Sequence, residues 1–161
     1  MTDNIIQLNK SDIVSFKIYD ENGNDTGNTL EFNLNDTHLL LRLQELVEKD
    51  KKNRSNLRNQ FVIIDKKEDL KGKKLLSSKE EAKLKALEEF FDNEIEVYNM
   101  FLGENGVQKL LNGRAFEWTT LREIDEIIEK HITPKLNISM DNIEKKIMDK
   151  YSIKKEDLVI E

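Results

Sequence analysis

The chain has no cysteine, so disulfides, thiolate nucleophiles and thiolate metal ligands are all excluded. It has one proline, Pro134, and two histidines, His38 and His131; only those two side chains titrate near neutrality unless another group is perturbed. No apolar run approaches the ~20 residues that a bilayer span requires. The start, Met1-Thr2-Asp3-Asn4, lacks the basic and apolar regions of a signal peptide, so the expected location is the cytoplasm of the cell that makes it. Also missing are a phosphate-cradling glycine loop, a dinucleotide fingerprint and a Ser-His-Asp order. The expectation is a protein without enzymatic activity and without a cofactor.

The 161 residues fit one domain whose core buries roughly two thirds of the unfolded surface. Hydrophobic residues make up only 37% and charged residues 36%, so the core must come from separated amphipathic stripes. The net charge of −6 argues against a general nucleic-acid binder. That charge is unevenly placed: residues 48–85 hold 13 Lys and Arg against 7 Asp and Glu, a local +6, leaving −12 for the remainder. A solvated connector between helices accounts for this basic region; docking of an acidic partner or a neighbouring copy is the other use such a stretch serves.

Residues 1–12 read as a flexible lead-in. Val14, Phe16 and Ile18 alternate along Ile13–Tyr19, and Leu30, Phe32 and Leu34 repeat the alternation after the polar stretch from Asp20 to Asn28. The pattern predicts a β-hairpin over 13–34 with a long glycine-containing loop. A lone hairpin is marginal in water, so its apolar face must lie on the helices that follow or on another subunit. Asn35 and Asp36 are suitable caps for a helix carrying Leu39, Leu40, Leu43, Leu46 and Val47. Its pattern decays over 50–54, and the run Phe61-Val-Ile-Ile64 fits neither period; residues 65–74 read as a charged connector.

Ser78 and Glu81 have capping-box spacing and open a stripe of Leu84, Leu87, Phe91, Ile95, Tyr98 and Phe101 that stops at Gly103. A short helix with Val107, Leu110 and Leu111 follows and stops at Asn112-Gly113. Thr120 and Glu123 repeat the box, with Phe116 or Trp118 as an apolar staple, ahead of Leu121, Ile124, Ile127 and Ile128. This helix is predicted to end before Pro134. A final amphipathic extension over 137–161 carries Ile143, Ile147, Met148 and Tyr151, then Leu158-Val159-Ile160. The expected fold is α+β, mostly α: a hairpin on about five helices, with one domain spanning 13–136 and a helical body over 35–136.

Asp20, Asn22, Asn24 and Glu31 stand at four ligand positions of an EF-hand-like loop, yet Asp25 occupies the place of the turn glycine and the flanks are strands. Ordinary turn chemistry explains the same residues. His131 near a predicted helix C-terminus has an electrostatic reason to be there, and nothing in the sequence brings it near His38. No metal is expected.

From Phe90 the order is informative: Phe90-Phe91-Asp92, then Phe101-Leu-Gly-Glu-Asn-Gly106, then Val107-Gln-Lys-Leu-Leu-Asn-Gly-Arg114, then an amphipathic helix reaching Ile132. Together with Val14-Ser-Phe16 in the hairpin, this resembles the tail assembly chaperones of long-tailed bacteriophages and phage-tail-like particles. The chain departs from that pattern at Leu102, in the basic segment 49–74 and after Pro134. The resemblance implies a non-enzymatic factor in the bacterial host's cytoplasm. It would bind and solubilise the apolar, helical tape-measure protein, help recruit the tail-tube protein, and self-associate, with no membrane and no nucleic acid involved. Client contact is expected from Phe16, Phe32, Phe91, Tyr98 and Phe101, each of which would also serve as core. The competing expectations are a virion structural or adaptor protein and a regulatory nucleic-acid binder using residues 49–85.

Overall fold

The computed structural model describes residues 3–8 and 12–137; the expected C-terminal stripe of Ile143, Ile147, Met148 and Tyr151 lies outside the described residues. Strands β1 (Ile13–Tyr19) and β2 (Asp25–Asn33) form an antiparallel hairpin in which Val14 faces Phe32 and Phe16 faces Leu30. That register places Val14, Phe16, Ile18, Leu30 and Phe32 on one side, while Ser15, Lys17 and Glu31 are exposed on the other. The loop is shorter than predicted, because β2 begins at Asp25. Asp20 Oδ1 accepts from the backbone N–H groups of Asn22 and Asn24, both at 2.9 Å, and Gly23 takes φ +80°. Those bonds close the turn within 20–24 and occupy the Asx residues that mimicked a calcium loop. Glu31 stands on β2 opposite Ser15.

Helices α1 (Leu39–Asp65) and α2 (Ser78–Leu102) are each about 40 Å long. Lys49 meets Met100, Asn53 meets Glu94 and Asp65 meets Lys83, so the two run antiparallel. Helix α1 passes without interruption through the stretch 50–54 where the apolar pattern fades, and it absorbs Phe61–Ile64. It begins after a turn in which Asp36 Oδ1 accepts from His38 N–H at 2.9 Å while its Oδ2 pairs with Arg42 at 3.0 Å. The His38 backbone donor, backed by the Arg42 charge, holds the Asp36 carboxyl below its usual range.

The connector over 66–77 is tied to the start of α2. Leu70 N–H donates to Ser78 Oγ at 2.8 Å, Asp69 accepts from Lys79 N–H at 3.1 Å, and Lys83 pairs with Asp65 at 2.6 Å. The capping box forms one residue earlier than predicted, between Ser77 and Glu80, because Ser77 holds the extended backbone that a cap needs. The buried line of α2 is Ala86, Phe90, Glu94, Tyr98 and Phe101. The predicted stripe is therefore rotated: Leu84 is exposed, and Leu87, Phe91 and Ile95 are half-buried.

Helix α2 stops at Gly103 with φ +99°, and α3 (Gly106–Leu111) starts three residues on. Asn99 caps α3 through its Oδ1, which accepts from Val107 N–H at 2.8 Å. A Cβ on Gly106 would sit 2.5 Å from Leu102 Cβ, so this corner admits only glycine without displacement. Phe32 of the hairpin stacks on Phe101 at 5.5 Å, which seats the sheet on this corner.

Helix α4 (Trp118–Ile127) has its box reversed and shifted from the predicted one. Glu117 caps Thr119 and Thr120, while Thr120 Oγ1 accepts from Glu117 N–H at 2.9 Å. A π turn, Ile128–Ile132, then widens the helix, which continues through 133–137 and contradicts the expected stop before Pro134. The Thr133 N–H bonds to Ile128 O, one residue farther back than in an α-helix. The widened turn relieves the ring of its clash with the preceding carbonyls. Leu121, Ile124, Ile128, Ile132 and Leu136 are buried along this helix.

Candidate functional site: a polar seam beside an apolar groove

Counted with their polar members, the inward positions of α1 are Leu39, Leu43, Leu46, Asp50, Asn53, Leu57 and Ile64. The spacing of three and four persists through the stretch where hydrophobicity fades, so Asp50 and Asn53 are carried inward by geometry. Opposite them, Glu94 lies one turn from both Phe90 and Tyr98 and has no exposed surface. Asn53 Nδ2 donates to Glu94 Oε1 at 2.9 Å, whereas Glu94 Oε2 is buried with no hydrogen-bond partner among the described residues.

Arg54 grips both oxygens of Asp50 through Nε, at 2.9 and 3.1 Å, and its Nη2 stands 3.8 Å from Asp125 on α4. The Tyr98 hydroxyl donates to the same Asp125 carboxylate. One guanidinium thus serves two carboxylates with a third beside it, and six polar side chains lock three helices together.

This arrangement stores a proton. Burial, then the adjacent Asp50 carboxylate, push the Glu94 carboxyl up to about 8 against the pull of the Asn53 donor. Burial also raises Asp125, with the Tyr98 donor working against that rise. The Tyr98 hydroxyl is raised by burial and by its bond to Asp125. A neutral Glu94 is the form that fits an interior holding a single guanidinium.

Beside the seam runs a groove of about 400 Å³ between α1 and α4. Leu43, Leu46, Val47 and Ile128 supply its apolar walls, and Asp50, Tyr98 and Asp125 its inner edge. Val47 is 53% exposed and Leu43 half-buried, so the wall is open to solvent. A second recess of about 260 Å³, between the hairpin and the π turn, is lined by Phe16, Ile18, Leu30, Leu110, Ile127 and His131 among others.

Of the residues expected to meet a client, Phe32, Tyr98 and Phe101 are buried in this chain's own core, and they face no solvent while the fold is closed. Phe16 and Phe91 are half-buried. Phe91 belongs to an aromatic cluster with Phe90, Phe116 and Trp118, whose neighbouring centroids are 5.0–5.6 Å apart. Arg54 lies 6.0 Å from the centre of the Trp118 ring.

His38 sits before α1 and His131 in the π turn, each exposed; the helix continues past His131, so it is not at the C-terminal turn expected for it. The polar seam itself escaped sequence reading. Its signal was the unbroken three-and-four spacing through Asp50 and Asn53, with Glu94 midway between two buried aromatics. Among the described residues, no helix is long and apolar enough to cross a membrane. No protein-family model, no curated protein and no solved structure matches this chain.

Proposed function

We propose that the chain is a tail assembly chaperone, a non-enzymatic protein of the bacterial host's cytoplasm that binds and solubilises the tape-measure protein, helps recruit tail-tube subunits, and self-associates. The observation that carries this reading is the way sequence order meets architecture at one corner. The segment Phe101–Arg114, on which the resemblance rests, forms the turn from α2 to α3, and the hairpin is seated there through Phe32 and Phe101. An N-terminal hairpin on a helical body is the arrangement that the resemblance implies. The open groove along α1 adds a surface suited to an apolar helix, a recognition mode that needs no catalytic groups.

Within the basic segment Lys49, Arg54, Lys83 and Lys85 are paired with Glu45, Asp50, Asp65 and Glu81, and the net charge of −6 disfavours a general nucleic-acid binder. The deciding experiment is co-expression with a tape-measure protein, followed by light-scattering mass of the soluble fraction. A soluble co-complex from an otherwise insoluble client is expected. A monomer that leaves the client in the pellet would refute the proposal.

A further inference from the structure

We propose that the groove between α1 and α4 receives an amphipathic helix that carries a lysine or arginine within its apolar stripe, the cation settling against Asp50 and Asp125. This rests on the chaperone reading and names the kind of client segment that the surface fits. The apolar part of the fit is set by Leu43, Leu46, Val47 and Ile128, which line one continuous opening of about 400 Å³. The polar part is set by charge. Facing the groove or lying just behind it are Asp50, Lys51 and Arg54 from α1, Glu94 and Tyr98 from α2, and Asp125 and Glu129 from α4 and the π turn.

Arg54 is committed to Asp50 and reaches Asp125 only at 3.8 Å, so the inner edge holds more carboxylate than cation. A long cationic side chain entering over Val47 lays its methylenes on Leu46 and Ile128 and brings its charge to Asp125 and Asp50. A helix that is apolar throughout would leave this edge facing hydrocarbon, which is unfavourable. The groove therefore selects a cationic client segment over a purely apolar one.

The test uses the full chain and synthetic helical peptides of ~20 residues with leucine at heptad spacing and one central stripe position set to lysine, methionine or glutamate. Binding is read by fluorescence anisotropy, and contact by a photo-crosslinking residue at position 47. The lysine peptide is expected to bind at least ~10-fold tighter than the methionine peptide, and to crosslink at position 47. In Asp125→Asn this preference is expected to shrink toward unity, with methionine-peptide affinity retained; circular dichroism checks that the fold is kept. Because Asp125 belongs to the seam, Val47→Arg serves as the second variant: the new cation sits on an exposed position and should weaken the lysine peptide most.

Equal affinities for the lysine and methionine peptides would overturn the inference. So would crosslinks from position 47 into residues 138–161 of the same chain or into a second copy. Tape-measure solubilisation that survives Val47→Arg unchanged would place the client elsewhere and refute the groove while leaving the chaperone function standing. Lysine-selective binding by a chain that never solubilises the tape measure would support the groove and defeat the function.

Discussion

Replacing Glu94 with glutamine tests the polar seam directly, because the amide keeps the shape of the protonated acid and its acceptor for Asn53. Glu94 has an ordinary value of 4.5 and is held at about 8 in the fold. The folded state therefore binds more protons than the unfolded state across that window. The resulting stabilisation is fully present below about 4.5 and is lost as pH rises through 8. Two-state linkage with these values gives a loss of about 3–4 kcal/mol between pH 5 and pH 8.

Asp36, Asp65, Asp69, Glu81 and Glu117 are shifted the opposite way, and their contribution is lost only in acid. They leave the window above pH 5 to Glu94, with Asp125 acting in the same sense. Urea unfolding, followed through Trp118 fluorescence and far-ultraviolet circular dichroism, reads the effect. With a denaturant slope of about 2 kcal/mol per molar, the wild-type midpoint should fall by about 1.5–2 M from pH 5 to 8. Glu94→Gln should be nearly flat and should overtake wild type between about pH 5 and 8. Parallel pH profiles for the two proteins would refute the buried, protonated Glu94.

The corner supplies a steric prediction: Gly106→Ala drives a methyl to 2.5 Å from Leu102 Cβ and should lower stability by about 1–3 kcal/mol, measured as a drop in melting temperature. Glu117→Ala removes the acceptor for both Thr119 and Thr120 N–H groups and should cost about 1 kcal/mol in urea unfolding. Phe101→Ala empties a site that is 3% exposed and stacked on Phe32; a loss of about 3–5 kcal/mol is expected, so client binding by that variant has to be read alongside its melting curve. Trp118, at 43% exposed, is the milder probe of the aromatic cluster: Trp118→Ala should cost about 1 kcal/mol beyond its area while the circular dichroism spectrum keeps its helical form.

Elements whose apolar residues alone set the period were legible. The hairpin alternation from Val14 to Ile18 and from Leu30 to Phe32, the stop at Gly103 and the stop at Asn112-Gly113 all follow from side-chain period and backbone preference. Three features were hidden for separate reasons. Helix α1 looked broken because Asp50 and Asn53 occupy inward positions, where a hydrophobicity count registers only a gap. The capping boxes slid because Ser77 precedes a second serine and because Glu117 and Thr120 exchange the usual roles. Pro134 was misread because a π turn, which no local residue preference announces, prepares the helix for it. Of the residues picked for client contact, aromatic character pointed to Phe32, Tyr98 and Phe101, and the same character buried them.

The polar seam also helps to fix the register of the two long helices, together with the Lys83–Asp65 pair near their ends. Leucines at Asp50, Asn53 and Glu94 would extend the apolar line of α1 and α2, and burial of such residues is often at least as stabilising as a buried polar network. Such a line would let the two long helices slide by a turn, since Leu46, Leu57, Ala86 and Phe90 offer no directional contact to prevent it. With the seam present, a one-turn slip separates Asn53 from Glu94 and leaves the buried acid without its donor, a penalty of about 1–3 kcal/mol. The slip would also carry Asp50 and Arg54 away from Asp125, which α4 holds in place through Tyr98. The groove exists only in the register that this network selects, because Leu43, Leu46 and Val47 must stand level with Ile128 and Thr133. The carboxylates that charge the edge of the groove are thus the same ones that align its walls, and a variant that neutralises them for affinity has to be judged for register as well.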